Sequence, residues 1–134
     1  MAKDIYHNNV REALEKEGWT IVRDPLRVYI SEIDYVDIDM AAENDFLESE
    51  DGFMAEKGEV KIAVEVKSFL RRSFISAFHE AIGQYLDYKS ALSDTEPDRV
   101  IYLAIPDIAF THRLFQNGGF FEKRLKQENA NLIV

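Results

Sequence analysis

The chain has 134 residues, 46% of them hydrophobic with nine Phe, enough for one domain (1–134) with a packed core and too apolar for intrinsic disorder. It has no Cys, which excludes disulfides and thiolate metal sites; no apolar run approaches the roughly 18–20 residues needed to span a bilayer, and Met1-Ala2-Lys3-Asp4 lacks the apolar core of a signal peptide, so a cytoplasmic protein without a membrane partner is expected. The formal charge of −9 argues against gripping nucleic acid by bulk electrostatics, and suits a carboxylate-rich cation site or a basic partner that supplies DNA affinity.

In chain order, Tyr6, Val10, Ala13, Leu14 and Glu17 recur at helical spacing, with Asp4 as N-cap and Gly18 just past the end, predicting a helix over 4–17. His7 lies on the stripe of Val10 and Leu14; a packed or surface histidine is the ordinary reading there, a ligand or acid/base the sharper one. Residues 19–23 and 26–30 read as short strands around an Asp24-Pro25 turn. Residues 33–40 read as a third strand, with Val36, Ile38 and Met40 sharing a face with Asp34, and Ile33, Tyr35, Asp37 and Asp39 sharing the other. Two aspartates on one strand face, followed by Glu43, are costly if buried without partners, so that face is either wet or holds a cation. The acidic stretch 41–58 reads as a solvated loop with a helical turn over 42–47.

Residues 59–67 alternate with period two: Val60, Ile62, Val64 and Val66 on one side, Lys61, Ala63, Glu65 and Lys67 on the other. That predicts a half-buried central strand. Glu65 and Lys67 stand roughly 6.5–7 Å apart along it. A carboxylate can hold a divalent metal and a neighbouring Lys can orient a water or neutralise a phosphate; the same pair also serves as the solvated face of an amphipathic strand. So short an E-x-K pattern recurs by chance, and the rest of the chain must discriminate.

Residues 69–72 form a connection in which Arg71 and Arg72 are either a phosphate-binding spot or a solvated pair. A strong amphipathic helix follows over 74–92, with Gln84 and Tyr88 one above the other on one face, as surface neighbours often are. After a polar turn at 93–99, residues 100–105 are nearly continuously apolar, as in a strand covered on both faces, and Pro106 ends it. Residues 110–125 are weakly helical, broken by Gly118-Gly119, and Leu132-Ile133-Val134 opens a final strand. This order predicts an α/β fold, a mixed β-sheet flanked by helices.

The segments Lys3-Asp4-Ile5-Tyr6-His7-Asn8, Gly18-Trp19-Thr20, Ile38-Asp39, Ala55-Glu56-Lys57-Gly58, residues 62–69 (Ile-Ala-Val-Glu-Val-Lys-Ser-Phe), Gly83-Gln84-Tyr85 and residues 95–99 (Thr-Glu-Pro-Asp-Arg) resemble, in order, the XisH family, the fdxN element excision controlling factors of cyanobacteria, within the restriction-endonuclease-like PD-(D/E)xK superfamily. The resemblance implies that fold, with Asp39 as the motif aspartate and Glu65 and Lys67 as the E-x-K pair. It implies Mg²⁺ (or Mn²⁺) held by Asp39, Glu65 and the Val66 carbonyl, with Lys67 positioning the water that hydrolyses a phosphodiester. Gln84 and Tyr88 match the Q-x-x-x-Y helix motif of the RecB-like branch. His7 stands where many members carry a Glu, a departure. Asp37 rivals Asp39, whereas Pro97-Asp98 spells the motif's "PD" but follows the E-x-K and opens a strand. The implied partners are DNA, directly or indirectly, a companion excision-controlling protein and a recombinase, with a homo-oligomer left open. A nuclease-fold module that only docks a protein partner is the alternative, and a toxin-like nuclease a third reading.

Overall fold

The first amphipathic segment folds as helix α1 (Ala2–Lys16). It starts two residues before the expected cap at Asp4 and ends where expected: Gly18 takes φ +96°, its N–H donates to Glu15 O (3.1 Å), and Trp19 N–H donates to Leu14 O (3.0 Å). That paired closure needs a left-handed residue, which glycine supplies without a Cβ penalty. The computed structural model describes residues 2–44, 60–69, 73–110 and 119–134. Strands β1 (Thr20–Arg23), β2 (Leu26–Tyr29), β3 (Tyr35–Ile38), β4 (Met40–Asn44) and β5 (Val60–Val66) follow α1; then come α2 (Phe74–Thr95), β6 (Arg99–Ala104), the short α3 (Asp107–Ala109), α4 (Phe120–Gln127) and β7 (Leu132–Ile133).

A five-stranded sheet has the order β1-β4-β5-β6-β7. β1/β4 and β4/β5 are antiparallel, β5/β6 and β6/β7 parallel, so the mixed sheet flanked by helices is as expected. β2 and β3 form a separate antiparallel ladder. The continuous strand expected over 33–40 is therefore two strands in two sheets, changing partner at Asp39. Apolar alternation runs through the break, so periodicity alone does not see it. The helical turn expected over 42–47 is also corrected over 42–44, which belong to β4: Ala41 and Ala42 are fully buried because β4 lies between β1 and β5, while residues 45–47 lie outside the described residues.

β5 is covered on both faces rather than half-buried. Ile62 and Val64 pack with Val10 and Leu14 of α1 and with Met40 and Ala42. Ala63 packs on the opposite side with Ala41, Tyr85 and Tyr88 of α2, and Leu26, Val28 and Ile38 of the β2–β3 ladder. α2 is capped by Ser73, whose hydroxyl accepts from Ser76 N–H (3.2 Å), and it runs to Thr95, three residues past the expected end. Phe74 and Phe78 meet Phe121 of α4 edge-on, at ring centroid distances of 4.9 and 4.7 Å. α4 begins directly after Gly119; the other half of the expected glycine break, Gly118, lies outside the described residues. Among the described residues no helix is long and apolar enough to cross a membrane.

Arg99 is buried and ties the layers together. Its guanidinium donates to Glu43 Oε2 (2.7 Å), Glu96 Oε1 (3.1 Å) and Ile62 O (3.0 Å), joining β4, β5 and the end of α2. Leu14 is 4% exposed at the α1–sheet contact. Leu14→Ala is expected to lower unfolding free energy by about 3 kcal/mol, against about 0.5 kcal/mol or less for Glu12→Ala on the exposed face, as read by urea denaturation with an unchanged slope.

Candidate functional site

The β4–β5 ladder ends with Met40 opposite Val64, and the same register sets Asp39 opposite Glu65. Here side chains take over from backbone pairing. Asp39 N–H donates to Glu65 Oε1 (3.1 Å), and Val66 N–H donates to Asp39 Oδ2 (2.7 Å). Each carboxylate thus accepts from the opposite strand's backbone, and the two are held face to face although Glu65 is 5% exposed. β-strand alternation turns Glu65 and Lys67 to one side, and Lys67 Nζ comes 3.5 Å from Glu65 Oε2. The backbone of Lys67 is fixed from the other side by its N–H to Ala104 O (2.9 Å).

Burial is the main force that pushes the Glu65 carboxyl up, to about 7 from an ordinary 4.5, and the charge of Asp39 adds to it. Lys67 and the Asp39 N–H pull the other way and lose. A hydrogen bond with the Asp39 side chain also raises it. Two carboxyl groups in one poorly hydrated place favour a proton or a cation between them. The Tyr88 hydroxyl is pushed up too, first by burial and then by the charges of Glu65 and Asp39.

A cleft of about 230 Å³ opens at this end of β5, lined by Asp39, Glu65, Val66, Lys67, Ser68 and Phe69 from the strand side and by Ala77 and Glu80 from α2. Of the residues expected from sequence, Asp39, Glu65, Val66 and Lys67 share this cleft. Gln84 and Tyr88 do not line it: Tyr88 is packed in the core, and the buried Gln84 Oε1 finds no hydrogen-bond partner among the described residues. Arg71 and Arg72 lie outside the described residues. Asp37, the rival to Asp39, forms a two-pronged ion pair with Arg27 (2.9 and 3.1 Å) on the exposed side of the β2–β3 ladder and is not part of the cleft. His7 is not a core residue of α1. Its Nε2 lies 2.9 and 3.0 Å from the two oxygens of Asp24, and its Nδ1 lies 3.9 Å from Asp39 Oδ1.

Sequence reasoning passed over Glu80 and Asp24. Glu80 Oε1 is 3.6 Å from Lys67 Nζ, so the amine stands between two carboxylates. The signal was present in the spacing: Glu80, Gln84 and Tyr88 recur every four residues along one face of α2. Asp24 was visible only as a turn residue. Among the described residues no set of three or more His, Asp or Glu side chains converges as a metal-ligand group. The donors that do converge are the two carboxylates beside the Val66 main chain; they are hard oxygen donors with excess negative charge, the chemistry that suits Mg²⁺ or Mn²⁺.

The architecture defines an α/β protein whose polar cleft sits at the carboxyl end of a strand in the parallel half of a mixed sheet, where such sheets commonly carry their sites. Its particular place is set by comparison. The chain belongs to the XisH family, whose model, described as XisH protein, matches residues 1–134. It is similar to the crystal structure of an XisH family protein from Nostoc punctiforme PCC 73102, with 36% identity and a TM-score of 0.78 over 96% of this chain and 88% of that one. It is likewise similar to a fdxN element excision controlling factor protein from Anabaena variabilis, with 38% identity and a TM-score of 0.76 over 98% of this chain and 89% of that one. No curated protein matches the chain.

The raised Glu65 carboxyl has a consequence for stability. Its folded form binds a proton more tightly than its unfolded form, so its contribution is complete below about 4.5 and is lost as pH rises through about 7. In chelator-containing buffer, chemical denaturation of the wild type is expected to show stability falling between pH 5 and pH 8. Glu65→Gln, which cannot ionise, is expected to lose most of that fall; an equally steep fall in both proteins would contradict the shift.

Proposed function

We propose that this protein acts in controlling excision of a DNA element of the fdxN type, as the name of its Anabaena variabilis relative says of that protein, and that it does so on a restriction-endonuclease-like PD-(D/E)xK scaffold with metal-dependent phosphodiester hydrolysis. One observation carries the reading: the Glu65 carboxylate accepts from Asp39 N–H and the Asp39 carboxylate from Val66 N–H, which sets the two acids together beside Lys67 in an open cleft. Asp39 and Glu65, with the Val66 carbonyl, would hold Mg²⁺ or Mn²⁺. The cation, when bound, supplies Lewis-acid polarisation of the phosphodiester and offsets the charge that burial makes costly. Lys67 donates from Nζ to the attacking water or to the developing charge on phosphate, and Glu80 restrains where that amine stands. The Asp39–Val66 and Glu65–Asp39 hydrogen bonds keep both carboxylates aimed inward.

A second reading keeps the scaffold and drops the chemistry: a module that docks a companion excision factor, which brings the DNA affinity a chain of net charge −9 lacks. Mn²⁺ calorimetry and cleavage assays on duplex DNA, single-stranded DNA and RNA separate the two. The nuclease reading expects an Asp39-dependent isotherm, no cleavage by Glu65→Ala, and cleavage on the order of a hundredfold slower by Lys67→Ala with Mn²⁺ binding retained. No isotherm and no cleavage on any substrate would refute it, and capture of a co-encoded basic partner would then carry the docking reading.

A further inference from the structure

We propose that Asp24 is a positioning residue for the carboxylate site: it holds His7 in the tautomer that turns an unprotonated Nδ1 toward Asp39. The inference rests on the cation reading of that site. His7 and Arg11 are four apart on α1, so both reach the Asp24-Pro25 turn between β1 and β2. Arg11 Nη1 donates to Asp24 Oδ2 (2.8 Å), and His7 Nε2 faces Oδ1 and Oδ2 at 2.9 and 3.0 Å. Against two carboxylate oxygens Nε2 has only one role, as donor. The other nitrogen of a neutral imidazole is then an acceptor. That nitrogen lies 3.9 Å from Asp39 Oδ1, beyond direct hydrogen-bond reach. The His7, Asp24 and Asp39 side chains are 16%, 22% and 12% exposed, so the arrangement is largely withdrawn from water. With Nδ1 unprotonated, it and Asp39 Oδ1 are two electron-rich atoms 3.9 Å apart, a pairing that a cation or a hydrogen-bearing ligand would relieve. A carboxylate behind a histidine is the usual device for orienting such a nitrogen toward a metal site.

Asp24→Asn tests this sharply. Arg11 keeps the amide oxygen where Oδ2 stands, so the amide NH₂ takes the place of Oδ1, the nearer of the two oxygens to Nε2, and the carboxylate charge that favours Nε2–H is gone. The His7 population then shifts toward the tautomer with its proton on Nδ1, facing Asp39. Long-range ¹H–¹⁵N spectra of the cation-free protein at a pH where imidazoles are neutral read the tautomer, with the His7 signals assigned by their loss in His7→Gln. The expected result is the Nε2–H form in wild type, a rise in the Nδ1–H form in Asp24→Asn, and Mn²⁺ affinity up to about tenfold weaker in that variant. An Nδ1–H form in wild type overturns the proposal, as does unchanged Mn²⁺ affinity in a folded Asp24→Asn. Should Asp24→Asn not fold, unchanged affinity in His7→Gln overturns it instead. Wild type that binds no Mn²⁺ at all refutes the cation reading, and the proposal with it, whatever tautomer is seen.

Discussion

Where β4 meets the end of β5, the chain replaces two backbone hydrogen bonds of a sheet ladder with two made by carboxylates. The rest of the site depends on this exchange. A carboxylate accepting from a fixed backbone N–H has little freedom to rotate, so both acids are aimed before any ligand arrives. The exchange also ends the β4–β5 pairing, and it does so at the residue where the chain passes from the small β2–β3 ladder into the main sheet. One residue, Asp39, therefore closes a strand, links two sheets and lines the cleft. Its partner Glu65 sits on the central strand, paired on one side with β4 and on the other with β6.

The acid concentrated over 37–43 resolves into three different fates. Asp37 goes to Arg27, on the surface, where such a pair contributes little to stability. Glu43 goes to the buried Arg99, which also satisfies the main-chain carbonyl of Ile62 and would be left as an uncompensated charge without its partners. Asp39 goes to the backbone of β5 and to Glu65, with Lys67 the nearby amine. Two of the three meet a guanidinium head-on, and the third faces another acid. That difference, rather than the amount of negative charge, marks the site.

Much of the fold was legible in the chain. The helical spacing from Tyr6 to Glu17 and from Phe74 to Leu92, the period-two pattern of 59–67 and the apolar run of 100–105 each correspond to the element they predicted. The failures have one physical cause. Residues 33–40 and 41–44 carry the composition of a strand and of an ambiguous small-residue segment, and which sheet each joins is decided by partners distant in sequence. Likewise Lys61 to Lys67 reads as half-buried because Ala63 and Glu65 look like a polar side; α2 and the β2–β3 ladder cover that side regardless. At the site, Glu65 and Lys67 were readable from strand alternation and Asp39 from the family resemblance. Glu80 was readable in principle from its spacing to Gln84, whereas Asp24 was not, since its role exists only because α1 lies over the β1–β2 turn.

The sequence by itself determined the elements outside 33–44, the acidic balance and the E-x-K pair, because helix and strand periods and local turn chemistry act over a few residues. Only the tertiary structure decided which acids meet. Asp39 and Glu65 are 26 residues apart in the chain, and Asp24 and His7 are 17 apart. Their contacts follow from strand register and from the seating of α1 on the sheet, which are set by burying the whole core at once and not by any local preference.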